Sequence, residues 1–306
     1  MLLSRPLGVV VVASMAFGAC SSPGRTPSTA SPSSTKRMAI VVGENFWGSI
    51  VSQLAGKAGD VTSIVTDPNA DPHNHETSSD TARAFATANL VVLNGAGYDA
   101  WADKLLSANP NRSREVVVVA GLLGKKDGDN PHFWYSPDYV ARVIDRLEAE
   151  LKTLDPADSA YFDTRRRAFD AALAPVTARL TAIRSRFAAT PVASTESIFV
   201  YLGQYLGLDI VSPPDFMNAV AEGNDPPAPS VVQFEQQITT KQAKVLVYNL
   251  QTATAVTTNI RRLAAAAGIP TTPVTETIQP PGATFEQWLD AELVALQSAL
   301  AAGTGR

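Results

Sequence analysis

The chain has 306 residues, 45% hydrophobic and 18% charged, a globular balance with enough length for two ordinary domains. Its formal net charge of −4 argues against a nucleic-acid partner, because such binders carry a basic excess on one face. One cysteine and three histidines confine any thiol or imidazole chemistry to very few positions.

Residues 1–20 read as a secretory leader, with Arg5 near the start and an apolar run over 7–19 that is too short to span a bilayer comfortably. Small residues Gly18 and Ala19 stand directly before Cys20, an ending that resembles a bacterial lipobox. A lipobox implies cleavage before Cys20, lipidation of its thiol, and anchoring to the outer face of the cytoplasmic membrane. Residues 21–37, mostly Ser, Thr, Pro and Ala, are expected to form a disordered tether. With Cys20 lipidated, no thiol is left for a disulfide, a nucleophile or a soft ligand, so any metal is to be held by nitrogen and oxygen.

Short runs rich in β-branched residues follow at 38–43, 61–65, 90–94 and 115–120, separated by segments that hold a helix or long loop. This predicts an N-terminal α/β lobe over 38–157. A second set at 192–195, 208–212, 244–249 and 269–274, with helical patterns at 254–267 and 284–302, predicts a C-terminal α/β lobe over 190–306. Between them, over 158–189, Tyr161, Phe162, Phe169, Leu173, Val176, Leu180, Ile183 and Phe187 recur at helical spacing. They predict one long linker helix, kinked or divided at Pro175.

All three histidines, His73, His75 and His132, fall in loops just after strands of the first lobe, where α/β ligand sites form. Asp71-Pro72-His73-Asn74-His75-Glu76 and Asn130-Pro131-His132-Phe133-Trp134 share a Pro-His order, in which the proline stiffens the approach to the imidazole.

These two loops, with Glu44-Asn45-Phe46-Trp47-Gly48, the 90–98 segment and the long helix, resemble the zinc/manganese-type (cluster A-I) solute-binding lipoproteins of ABC importers. The resemblance implies two small α/β lobes, each with a four-stranded mainly parallel sheet flanked by helices, joined by one rigid linker helix. It also implies a monomeric receptor, not an enzyme, that carries one divalent transition metal to an importer permease and its ATPase. Carried over position by position, it places metal ligands at His73, His132, Glu196 and Glu276, two from each lobe. His75 stands where the family usually has an aromatic residue, so His75 and Glu76 are left as accessory candidates. Phe46, Trp47, Phe133 and Trp134 are expected to pack and dry the cleft.

Two imidazoles and two carboxylates neutralise a dication when the site is full and leave two mutually repelling carboxylates when it is empty. The donor set leans slightly toward manganese or ferrous iron over zinc, and residues 124–129 lack the histidines common in zinc receptors of the family. Three other readings have less behind them. A secreted metallohydrolase would need an open coordination position and a base, for which Glu76 is the only candidate, and no His-Glu-x-x-His helix is present. An iron-chelate receptor of the same architecture would use arginines and aromatics. An adhesive role would leave the Pro-His loops without purpose.

Overall fold

The runs of β-branched residues form two four-stranded sheets in which every pairing is parallel. The structure, a computed structural model, describes residues 37–67 and 77–306. The leader, Cys20, the tether up to residue 36, and the first Pro-His loop with His73, His75 and Glu76 lie outside the described residues.

The first sheet contains β1 (Met38–Glu44), β2 (Gly59–Val65), β3 (Leu90–Leu93) and β4 (Glu115–Val118) in the order β2-β1-β3-β4. The second contains β5 (Pro191–Ser194), β6 (Asp209–Ile210), β7 (Val245–Asn249) and β8 (Thr271–Val274) in the order β6-β5-β7-β8. The two orders are the same, so each sheet reverses direction of winding between its first and third strands. The crevice at the carboxyl ends of those strands is where open α/β sheets bind ligands. The central strands are apolar throughout, as strands covered by helices on both faces must be: Leu90, Val91, Val92 and Leu93 of β3 are all buried.

Helices α1 (Asn45–Ala55), α2 (Ser79–Thr87), α3 (Trp101–Ala108), α4 (Val119–Leu123) and α5 (Pro137–Leu154) belong to the first lobe. Then come the linker helix α6 (Ser159–Phe187) and, in the second lobe, α7 (Val200–Tyr205), α8 (Pro214–Ala221), α9 (Ala228–Thr239), α10 (Ala255–Ala267) and α11 (Phe285–Thr304). Local chemistry sets their ends. Ser136 caps α5 by accepting from the Tyr139 amide, with Pro137 at the first helical position. Thr254 and Thr257 close a reciprocal cap on α10, which stops at Gly268 in the left-handed region.

Three details differ from the sequence reading. The run at 115–120 is a strand only to Val118, because residues 119–123 turn into α4, closed by Gly124 at φ 71°. The strand expected at 208–212 keeps only Asp209 and Ile210, an edge pairing that Pro213, without an amide donor, does not prolong. Pro175 does not divide the linker helix, which runs unbroken for 29 residues. Phe169 and Val176, on either side of the proline, are buried while the proline itself is exposed. Burial of that apolar face outweighs the amide bond lost at Pro175.

The linker helix is fastened to both lobes. Arg165 Nε donates to the Gln53 carbonyl of α1 at 2.7 Å, and Arg179 Nε donates to Asp290 Oδ1 of α11 at 2.7 Å. One apolar core, from Ile40 and Val42 through Phe169 and Leu180 to Leu293 and Leu300, runs through both lobes along this helix. Among the described residues no helix is long and apolar enough to cross a membrane.

Candidate metal centre

The carboxyl ends of the strands converge on a small polar cluster between the lobes. His132 follows α4 in the first lobe, Glu196 comes two residues after β5, and Glu276 two residues after β8. Their exposures are 0%, 1% and 4%, and one potential ligand atom from each lies within 4.8 Å of the others. These are three of the four positions expected from the sequence. The fourth, His73, and the accessory candidates His75 and Glu76 lie outside the described residues.

His132 is oriented from behind. Its Nδ1 is 2.6 Å from Asn130 Oδ1, and Asn130 Nδ2 donates to the Ser197 carbonyl at 2.8 Å, which fixes which end of the amide faces the ring. The ring proton therefore sits on Nδ1, and Nε2 faces Glu196 Oε1 at 3.6 Å. The loop is tied to its own sheet by Asn94, at the end of β3, whose Nδ2 donates to the Pro131 carbonyl at 2.9 Å. Asn94 Oδ1 in turn accepts from Trp47 Nε1 at 3.0 Å. Phe46 stacks on Trp134 with centroids 3.9 Å apart, and Trp134 meets the His132 ring edge-on at 5.2 Å. The four aromatics singled out in the sequence are all buried; Trp134 packs on the His132 ring, Phe46 backs Trp134, and Phe133 packs away from the cluster on Tyr139 and Tyr201.

The two acids share a partner that sequence reading did not single out. Asn249, the last residue of β7 and 3% exposed, sends Nδ2 to Glu196 Oε2 at 2.9 Å and to Glu276 Oε1 at 2.7 Å. Tyr98, from the first lobe, donates its hydroxyl to Glu276 Oε2 at 2.8 Å. The Glu276 backbone is held by Gln251 Oε1, which accepts from the amides of Glu276 at 2.6 Å and Thr277 at 3.1 Å. The mutual repulsion expected of the two carboxylates is thus offset by neutral donors from both lobes. Burial, and after it the charge of Glu276, pushes the Tyr98 phenol well above its ordinary range, so Tyr98 serves as a donor and not as an anion. The sequence signal for Asn249 was its place at the carboxyl end of a central strand, the same rule that marks Glu196 and Glu276.

A second acid pair lies behind Tyr98. Asp99 accepts from the amides of Asn94 at 2.6 Å and Gly95 at 2.8 Å, which favours its charged form. Glu44, at the end of β1 and fully buried, is pushed well above the carboxylate range by burial first and by the charge of Asp99 second. Asp99 is raised by burial too, but its amide donors counter that, so Glu44 carries the proton of the pair.

Three buried oxygen and nitrogen donors from two lobes, with a fixed imidazole tautomer, could hold a small cation. Comparison with known proteins gives the same direction. A family model described as the periplasmic zinc-uptake complex component A, ZnuA, matches residues 40–299. The chain belongs to the ZnuA family. That family is one of periplasmic metal-binding solute receptors, not enzymes.

Relatives of this ZnuA-family chain carry different cargo in their names. It is 28% identical to the iron-binding protein YfeA of Yersinia pestis over 187 residues, 58% of this chain and 59% of that protein. It is 26% identical to the manganese-binding lipoprotein MntA of Halalkalibacterium halodurans over 122 residues, 38% of this chain and 40% of that one. The aligned segments therefore span about half the length of these two relatives. In fold it resembles the periplasmic zinc binding protein TroA of Treponema pallidum. The TM-score is 0.72 and the identity 14%, over 87% of this chain and 99% of that one.

Proposed function

We propose that the chain is an extracytoplasmic receptor that captures one divalent transition metal between its lobes and delivers it to an ABC importer permease and its ATPase. The cargo is zinc or manganese, with ferrous iron the third candidate, and the protein does no catalysis. In this reading His73, His132, Glu196 and Glu276 hold the ion, His75 and Glu76 stand by, and Cys20 carries a lipid that anchors a monomeric receptor through the tether.

The observation that carries the reading is the approach of His132 Nε2 to Glu196 Oε1. Their 3.6 Å separation exceeds the ~2.7–3.2 Å of a hydrogen bond. It fits two ligands that share an ion at about 2.1 Å from each, which in tetrahedral geometry stand about 3.4 Å apart. With Glu276 in the same 4.8 Å cluster, the donor set suits a bare ion.

Elemental analysis tests this. The full chain, purified without chelator from its native host, is expected to hold about one equivalent of zinc, manganese or iron. His132→Ala, Glu196→Ala and Glu276→Ala are expected to lose it. Protein that arrives metal-free and takes up none of the three ions would sink the proposal.

A further inference from the structure

We propose that Asn249 sets the metal selectivity of the cleft by holding each glutamate to one coordinating oxygen. The inference rests on the metal reading above and adds a specificity-determining residue to it.

Three features place the amide where it can act. β7 is a central strand of its sheet, flanked by β5 and β8, so its carboxyl end falls between the loops that carry Glu196 and Glu276. Asn249 Oδ1 accepts from the Gln251 amide at 2.9 Å, which points Nδ2 at the acids. Nδ2 also reaches Thr252 Oγ1 at 2.7 Å, so its two protons are shared among three acceptors and none is spare.

The consequence for the ligands is geometric. Glu196 has Oε2 on the amide and Oε1 toward His132. Glu276 has Oε1 on the amide and Oε2 on the Tyr98 hydroxyl, so it offers one oxygen by sharing or releasing the Tyr98 bond and a second only by releasing the Asn249 bond as well. Neither carboxylate can turn both oxygens to an ion without giving up a buried hydrogen bond to a charged acceptor. One oxygen from each acid, with imidazole nitrogen, builds a site of low coordination number. Zinc accepts that as a tetrahedron, whereas manganese favours about six ligands, chiefly oxygen. An aspartate at the same place would offer no donor and would add a third negative charge.

The test uses the full chain and the variants Asn249→Leu, which keeps the branched shape and removes the donor, and Asn249→Ala, which removes both. Zinc and manganese dissociation constants come from competition titration, and the number of neighbours around bound zinc from X-ray absorption at the zinc edge. The natural chain should show about four nitrogen or oxygen neighbours, and the variants about five or six as the carboxylates turn bidentate. The preference for zinc over manganese should fall about tenfold in both variants. A zinc shell that stays the same, with both metals weakened by one common factor, would overturn the clamp and leave the receptor reading standing. A natural chain already holding zinc with six neighbours would do the same, and one that binds neither ion would bring down both readings.

Discussion

Asn130 Oδ1 lies 2.6 Å from Nδ1 of His132, and its Nδ2 reaches across to Ser197 in the other lobe. One amide thus fixes the imidazole tautomer and links the loops on the two sides of the cleft. Asn130→Ala is expected to weaken metal binding by about 10- to 100-fold, the range for losing such an outer partner, with the fold intact. Asn130→Asp keeps an acceptor for Nδ1 and should recover part of the loss. Titration of both variants beside the natural chain checks this, and equal affinities in all three would show that the ring needs no support from this amide.

Tyr98 joins the first lobe to Glu276 of the second through a buried hydroxyl. Tyr98→Phe removes that donor and almost no volume. A hydrogen bond to a charged group contributes about 1.5–3 kcal/mol, so affinity should drop by roughly tenfold or more. The same change should shift the metal-free chain toward a more open arrangement, visible as a larger radius of gyration in small-angle scattering. Unchanged affinity and unchanged scattering would together remove Tyr98 from the closing contacts.

The architecture was legible because it is written in local patterns. β-branched runs gave the strands, and the spaced aromatics of 159–187 gave the linker helix. Glu196 and Glu276 came from the family resemblance, carried over to the residues just beyond strand ends, and with His132 they converge. What sequence could not give was the set of neutral donors. Asn249, Asn130 and Tyr98 act through partners 53, 67 and 178 residues away, and nothing local to an asparagine or a tyrosine announces such a partner. The buried proton of Glu44 was hidden for the same reason, since Asp99 lies far along the chain. The fate of Pro175 turned on packing: local propensity favours a break, and the buried face of α6 overrides it.

Pro175 is an exposed residue in the middle of the 29-residue α6, where an alanine would restore an amide bond to the preceding turn. Interior proline costs a helix about 3 kcal/mol, and part of this is offset by the stiffness proline lends to the unfolded chain. Pro175→Ala should therefore stabilise the protein by about 1–2 kcal/mol, raising Tm by several degrees in calorimetry. A lower Tm would mean that the packing of α6 against α1 and α11 is fitted to the shape proline imposes.

Glu292 of α11 makes stability depend on pH. Its side chain is half-buried between the lobes, where Tyr135 Oη lies 2.6 Å from Oε2 and the Thr275 amide donates to Oε1 at 2.9 Å. The same Tyr135 hydroxyl is 2.8 Å from the Thr275 carbonyl, and one phenol proton cannot serve both. A protonated Glu292 resolves this by donating to Tyr135, which then donates to Thr275. Burial accordingly raises Glu292 from 4.5 to about 8. A raised carboxyl binds more protons folded than unfolded, so its contribution is fully present below pH 4.5 and is lost as pH rises toward 8. The loss is at most about 1.4 kcal/mol per pH unit across that window, less for the solvent that reaches the half-buried side chain. Tm should fall across that window in the natural chain, and Glu292→Gln, neutral at every pH and able to donate to Tyr135, should flatten most of the fall. Glu44 and Asp99, raised by burial in the same direction, contribute to the slope that remains. A Glu292→Gln profile as steep as that of the natural chain would show that Glu292 is ionised throughout and that its proton does not hold Tyr135 in place.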